Sequence, residues 1–263
     1  MRYPGRLIKI GERDARIVKA VKTALNRALT LARSDLRLDP DNPNFGSTTK
    51  RAVMLFQARH VDLQGRPLKI DGEVGSITWG ALFGAPKVAV VEGTDDPLLS
   101  RVLRIAAGEE AAKVREVPRN SNKGPEVSAY LKRAGVSAGL PWCAAFVYWC
   151  FDEAALILGR ANPAVRTAGC LNHWNRAPAA GARRLPKAEA TADPSLVRPG
   201  MVFIMDFGRG AGHTGLVESI SGGFITTIEG NTDASKTREG GGVYRLTRKV
   251  LEINKGFIDY AGL

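Results

Sequence analysis

The feature that most constrains this chain is a change of period along its second half. Residues 98–114, 124–135 and 141–158 carry apolar side chains at helical spacing, whereas 201–205, 213–220, 224–231, 242–249 and 257–260 are short runs of β-type composition. Helices followed by a meander of strands predict an α+β domain with an antiparallel sheet. The intervening stretch, about 160–197, is of mixed composition and predicts no regular element.

The first third reads differently. Residues 13–32 place Ile17, Val18, Val21, Leu25, Ala28 and Leu29 on one helical stripe, and LDPDNPNFG then breaks the helix. Ser47 is a candidate cap for a second helix over 47–60, and Ser76 for a third over 76–84. Phe45-Gly46-Ser47-Thr48-Thr49 returns as Val74-Gly75-Ser76-Ile77-Thr78, so the same turn-into-helix unit opens both. These patterns predict a small three-helix domain over 1–84, a linker over 85–97 that lacks helical periodicity, and a larger domain over 98–263.

Charge narrows the partners. The chain has 263 residues and a net charge of +12, which favours polyanions such as nucleic acid or cell-wall polymers. Its basic residues are dispersed, and no nucleic-acid-binding signature accompanies them, so no nucleic-acid partner is expected. Cys143, Cys150 and Cys170 are too few and too odd for a disulfide scaffold. The histidines, His60, His173 and His213, are not clustered at metal-ligand spacing. No metal and no cofactor are therefore expected. The N-terminal stretch has no apolar core of a Sec signal, and no run of 18 apolar residues occurs. The expectation is a monomer made in a cytoplasm and brought to an outside target by a non-Sec route, with no membrane span.

Three segments carry chemistry. Cys143 follows Pro141-Trp142 and precedes a helical run, so it falls in a first helical turn, where N–H groups and the helix dipole favour the thiolate. Taken alone, such a cysteine is more often a buried structural thiol. Cys150, two turns deeper, reads as a small buried hydrophobe. His213 opens the run HTGLVESI, and Glu229-Gly230-Asn231 ends the next one. A three-residue loop, Ser221-Gly222-Gly223, pairs Ile220 with Phe224 and sets His213, Glu229 and Asn231 on one hairpin face. A two-residue loop would turn Glu229 to the other face.

LPWCAAFVYWC, GHTGLVE and IEGN, in that order, resemble the CHAP domains of the papain-like NlpC/CHAP superfamily, over about 98–260. That resemblance implies a cysteine amidase or endopeptidase acting on bacterial peptidoglycan. It assigns Cys143 as nucleophile, His213 as base, and Glu229 or Asn231 as the partner of the imidazole. Some CHAP domains carry calcium just upstream of the cysteine; here Glu126 is the only acid in that region, so none is expected. Residues 13–84 resemble the type-1 peptidoglycan-binding domain, through FGSTTKRAVMLFQ and DGEVGSITWGAL, with the longer insert VDLQGRPLKI before Asp71. Val53, Phe56 and Trp79 read as core. Trp142 beside the nucleophile, and Phe45, Arg51 and Gln57 in the first domain, are the candidate substrate contacts. His173 in CLNHWNRA reads as part of a loop held by polar contacts. The modular layout resembles a phage endolysin. A contractile-injection effector amidase and a non-catalytic wall-binding protein are the alternatives.

Overall fold

The computed structural model describes residues 3–30, 37–63, 66–84, 90–221, 223–236 and 240–263. The end of the first expected helix (31–32), part of the insert (64–65), the first five residues of the expected linker (85–89) and Gly222 of the expected hairpin loop lie outside them. Contacts divide the chain into two compact units, Met1–Ala89 with Thr191–Pro194, and Val90–Ala190 with Ser195–Leu263.

The first unit holds three helices, α1 (Ala15–Ala28), α2 (Ser47–Arg59) and α3 (Ser76–Phe83). Asp14 caps α1, its carboxylate accepting from the N–H of Arg16 and Ile17 at 3.0 and 3.3 Å. The other two starts differ from expectation. Gly46 and Gly75 occupy the cap positions with no side-chain bond, and Ser47 and Ser76 are the first helical residues instead. The predicted stripe of α1 is buried at Ile17, Val18, Val21 and Leu25, against Phe45, Val53, Phe56, Trp79 and Leu82. Each such side chain stabilises the fold by about 1.5–3 kcal/mol on burial.

The second unit opens with β1 (Val90–Glu92), then α4 (Pro97–Ala111), α5 (Pro125–Ala134), α6 (Cys143–Ile157) and α7 (Cys170–Arg176). Six further strands follow: β2 (Arg183–Pro186), β3 (Val202–Gly208), β4 (Ala211–Ser221), β5 (Phe224–Thr232), β6 (Gly242–Lys249) and β7 (Gly256–Asp259). They form one antiparallel sheet in the order β2-β7-β3-β4-β5-β6, with β1 pairing the far end of β4. This is the expected α+β architecture, helices first and sheet after.

Alternation along the strands makes two cores. Val202, Ile204, Leu216 and Ile228 face the helices, while Phe203, Val217 and Ile225 pack with Leu185, Val197, Val250 and Phe257 on the opposite face. Helix α6 is apolar nearly all round, as a helix buried between neighbours must be, and it packs on α4, α5, β4 and β5. Several elements were not expected, among them a short helix over Lys187–Ala192 in the stretch of mixed composition. Strand β1 lies within the stretch read as linker, β2 lies in the stretch of mixed composition, and CLNHWNRA is a helix rather than a loop.

Candidate active site

Cys143 is the first residue of α6. A helix's first N–H groups have no partner inside the helix, so they and the dipole favour an anion there. Two other groups reach the sulfur. The Cys170 Sγ lies 3.4 Å away, and His213 pairs with the thiol in charge. The Cys170 contact, the histidine and the Ala144 N–H together hold the Cys143 thiol well below its usual range, against the opposing effect of burial. Cys150 has neither neighbour, and burial pushes its thiol up.

His213 pairs with Met205 across β3 and β4. Its Nε2 is 2.8 Å from Glu229 Oε2, while its Nδ1 has no protein hydrogen-bond partner and is the nitrogen left for chemistry. Burial lowers the imidazole's pKa, but the nearby Cys143 sulfur and the bond to Glu229 outweigh that and raise it to about 9.

Glu229 is fully buried, and a lone carboxylate there would take up a proton. Instead it is held at about 2, because Arg248 and His213 overcome the upward push of burial. Arg248 is bidentate, Nε to Oε1 and Nη2 to Oε2, both at 2.6 Å, and Thr227 donates its hydroxyl to Oε1. The guanidinium also lies over the Phe203 ring, 5.6 Å from its centroid. Sequence reasoning missed Arg248. The available signal was the alternation of GVYRLTRK: Arg248 pairs with Ile225, and residues 225, 227 and 229 share a face.

The hairpin that aligns these groups is built differently from expectation. Ser221 pairs with Phe224, so the loop has two residues rather than three. Left there, the register would turn Glu229 away from His213. A bulge at Glu218 adds one residue to β4, between Val217↔Thr227 and Ser219↔Thr226. Beyond it Leu216 pairs with Ile228, which is the register expected near the site. Two glycines then permit close packing. A Cβ on Gly215 would sit 2.7 Å from Glu229 Cγ, and one on Gly230 would sit 2.6 Å from the Trp142 ring.

Asn231 makes no hydrogen bond to the imidazole. It takes a left-handed backbone (φ 57°), and both its amide oxygen and nitrogen are buried without a hydrogen bond. It lines a cavity of about 270 Å³ together with Cys143, Cys170, Pro141 and Ala211.

Three of the four expected substrate contacts sit elsewhere than on a surface. Trp142 is 0% exposed, its Nε1 donating to Glu116 Oε1 at 2.8 Å while its ring packs near Tyr130. Phe45 is core. Gln57 is buried and spent on structure, its amide nitrogen donating to Asp71 Oδ1, Glu73 O and Thr78 Oγ1. Arg51 alone is exposed. His173 is buried in α7, with Nε2 2.8 Å from the Tyr260 hydroxyl, and burial lowers its pKa to about 4. Among the described residues, no three His, Cys, Asp or Glu side chains are placed to hold a metal ion. No described helix is long and apolar enough to cross a membrane.

Residues 135–231 match the CHAP domain family. The matched stretch starts just before α6 and ends on Asn231, so it spans Cys143, Cys170, His213 and Glu229 but stops short of Arg248. A CHAP domain is a cysteine- and histidine-dependent amidohydrolase, and it indicates a hydrolase of the peptidoglycan amidase/endopeptidase type. No curated protein and no solved structure matches the chain.

Proposed function

We propose that the protein cuts an amide bond in or next to the peptide stem of peptidoglycan, by acyl transfer through Cys143. The observation that carries this reading is a lowered thiol on the first residue of a helix, beside an imidazole that a buried, clamped carboxylate holds. The thiolate attacks the amide carbonyl, and its electron pair forms the new C–S bond. The oxyanion that develops meets the backbone N–H of Cys143 at the helix start. The unpaired amide of Asn231, in the same cavity, supports it as a second donor, in place of the imidazole-supporting role expected from sequence. His213 protonates the leaving amine through Nδ1, then takes a proton from the water that hydrolyses the thioester. Glu229 fixes the tautomer and stabilises the imidazolium, the part the third member of such triads plays.

The first unit is proposed as the wall anchor. Its own apolar core and its FGSTTKRAVMLFQ and DGEVGSITWGAL stretches favour a separate binding domain. Anchoring to an insoluble polymer raises the local concentration of substrate. The two together suit release of a phage from its host, where a wall lytic enzyme acts after the membrane is breached.

Incubating the full chain with purified sacculi and identifying the soluble fragments by mass spectrometry tests the activity and names the bond. Wild type should release peptide-bearing fragments with new amine ends, and Cys143→Ala should release none. Intact sacculi with wild type would refute the hydrolase reading. Residues 1–89 alone should pellet with sacculi without degrading them; failure to pellet would remove the anchor.

A further inference from the structure

Beyond its contact with the Cys143 sulfur, Cys170 has no step of its own in the hydrolysis above. It opens α7 as Cys143 opens α6, and the two Sγ atoms are 3.4 Å apart on one cavity. None of the three cysteines is in a disulfide. An S–S bond is about 2.05 Å long, so the sulfurs need to close by roughly 1.4 Å. Cys150 lies two turns along α6, roughly 10 Å deeper, and is fully buried. Both sulfurs line the same cavity of about 270 Å³, which opens to the outside and gives a small disulfide its approach.

We propose that Cys143 and Cys170 form a thiol–disulfide exchange site, which accepts a low-molecular-weight disulfide of the glutathione type and closes into an internal disulfide. The Cys143 thiolate attacks one sulfur of oxidised glutathione, and a first glutathione leaves, taking the proton from His213. Cys170 then attacks the Cys143 sulfur of the mixed disulfide. A second glutathione leaves with the Cys170 proton. Two protein thiols are oxidised and one glutathione disulfide is reduced, so the exchange balances. The internal bond occupies the sulfur that hydrolysis needs, and a thiol reductant reopens it. The modification itself stands apart from the hydrolase reading; only its effect on activity rests on that reading.

The test uses the full chain, reduced and then exposed to excess oxidised glutathione, with free thiols counted after denaturation and alkylated peptides identified by mass. Thiols should fall from three to one, with Cys143 joined to Cys170. Release of fragments from sacculi should be lost and should return with dithiothreitol. Cys170→Ser and Cys170→Ala should both halt at a glutathione adduct on Cys143, whereas Cys150→Ala should still form the internal bond. A stable adduct in wild type, a bond to Cys150, or no loss of thiols would overturn the proposal. Reduced protein that closes the bond but never degrades sacculi would support the exchange site while refuting the hydrolase reading.

Discussion

Two carboxamides are buried to nearly the same depth, Gln57 in the first unit at 2% exposure and Asn231 in the second at 1%. Gln57 is saturated. Its two N–H groups face three acceptors, and its oxygen accepts from the N–H of Asp71 and Gly72 at 3.1 and 2.9 Å. Asn231 makes no bond through either atom. A buried amide without partners costs about 1–3 kcal/mol, so a fold keeps one where something else is to use it. Gln57 is therefore a staple that ties α2 to the Asp71 turn, and Asn231 is a vacant valence facing a cavity. From sequence Asn231 is a candidate partner of the imidazole and Gln57 a candidate wall contact, and their bonds assign each a different part.

The largest expected effect lies with the sulfurs of α6. Cys143→Ala should abolish release of fragments from sacculi, and Cys150→Ala should keep most of it, since one thiol is lowered and the other raised on the same helix. Equal losses from the two folded variants would show that the depth of the sulfur, rather than its charge, decides.

The amide comparison itself comes next. Asn231→Gly keeps the left-handed backbone available and should lower turnover by about 10²–10³, the cost of one oxyanion donor, with little change in thermal midpoint. Gln57→Leu should leave turnover on soluble muropeptides unchanged and destabilise the first unit by several kcal/mol, because it leaves buried N–H groups unpaired. Calorimetry and fragment release together check both; the reverse pattern would dissolve the distinction.

A smaller effect concerns pH. In the proposed mechanism the active form carries a thiolate and a protonated imidazole, so activity should rise as Cys143 ionises and fall as His213 loses its proton, near pH 9. Glu229 helps to raise that histidine, so Glu229→Gln should move the alkaline limb to lower pH. An unmoved limb in pH–rate profiles would mean that Glu229 only orients the ring.

The smallest effect expected is that of Arg248→Lys. Lysine keeps the charge but cannot make the bidentate bond, so the variant should retain activity with a modest loss in rate. Arg248→Met should lose far more, since it leaves a buried carboxylate without its main counter-charge, at a cost of about 3–5 kcal/mol in stability. Steady-state rates beside thermal midpoints would resolve the two.

Much of this was legible in the sequence because local rules wrote it. Pro141-Trp142-Cys143 before an apolar run specifies a helix start, and the strand pattern after residue 200 specifies an antiparallel sheet. The elements that escaped depend on partners distant in the chain. Strand β2 is four residues long and exists by pairing with β7, far along the chain, Arg183 to Asp259. Cys170 meets the site only through tertiary folding, and the alternation that puts Arg248 on the face of Glu229 becomes readable only once the register of β5 with β6 is known. The burial of Trp142 escaped for a similar reason: Gly230, which makes room for its ring, belongs to a strand far along the chain.

The bulge at Glu218 makes the hairpin a matter of parity. What the site requires is an odd number of residues outside the ladder between Leu216 and Ile228, wherever the odd one falls; here two sit in the turn and one in the bulge. Glu218 is fastened by Arg245 at 2.7 and 3.0 Å, which pins the surplus residue away from the turn. Moving that residue along the hairpin, by deleting at 218 and inserting in the turn, conserves the count and leaves His213 facing Glu229. Deleting it without replacement changes odd to even, and every side chain on one strand beyond that point exchanges inside for outside. The turn is thus free to vary in length by twos but not by ones.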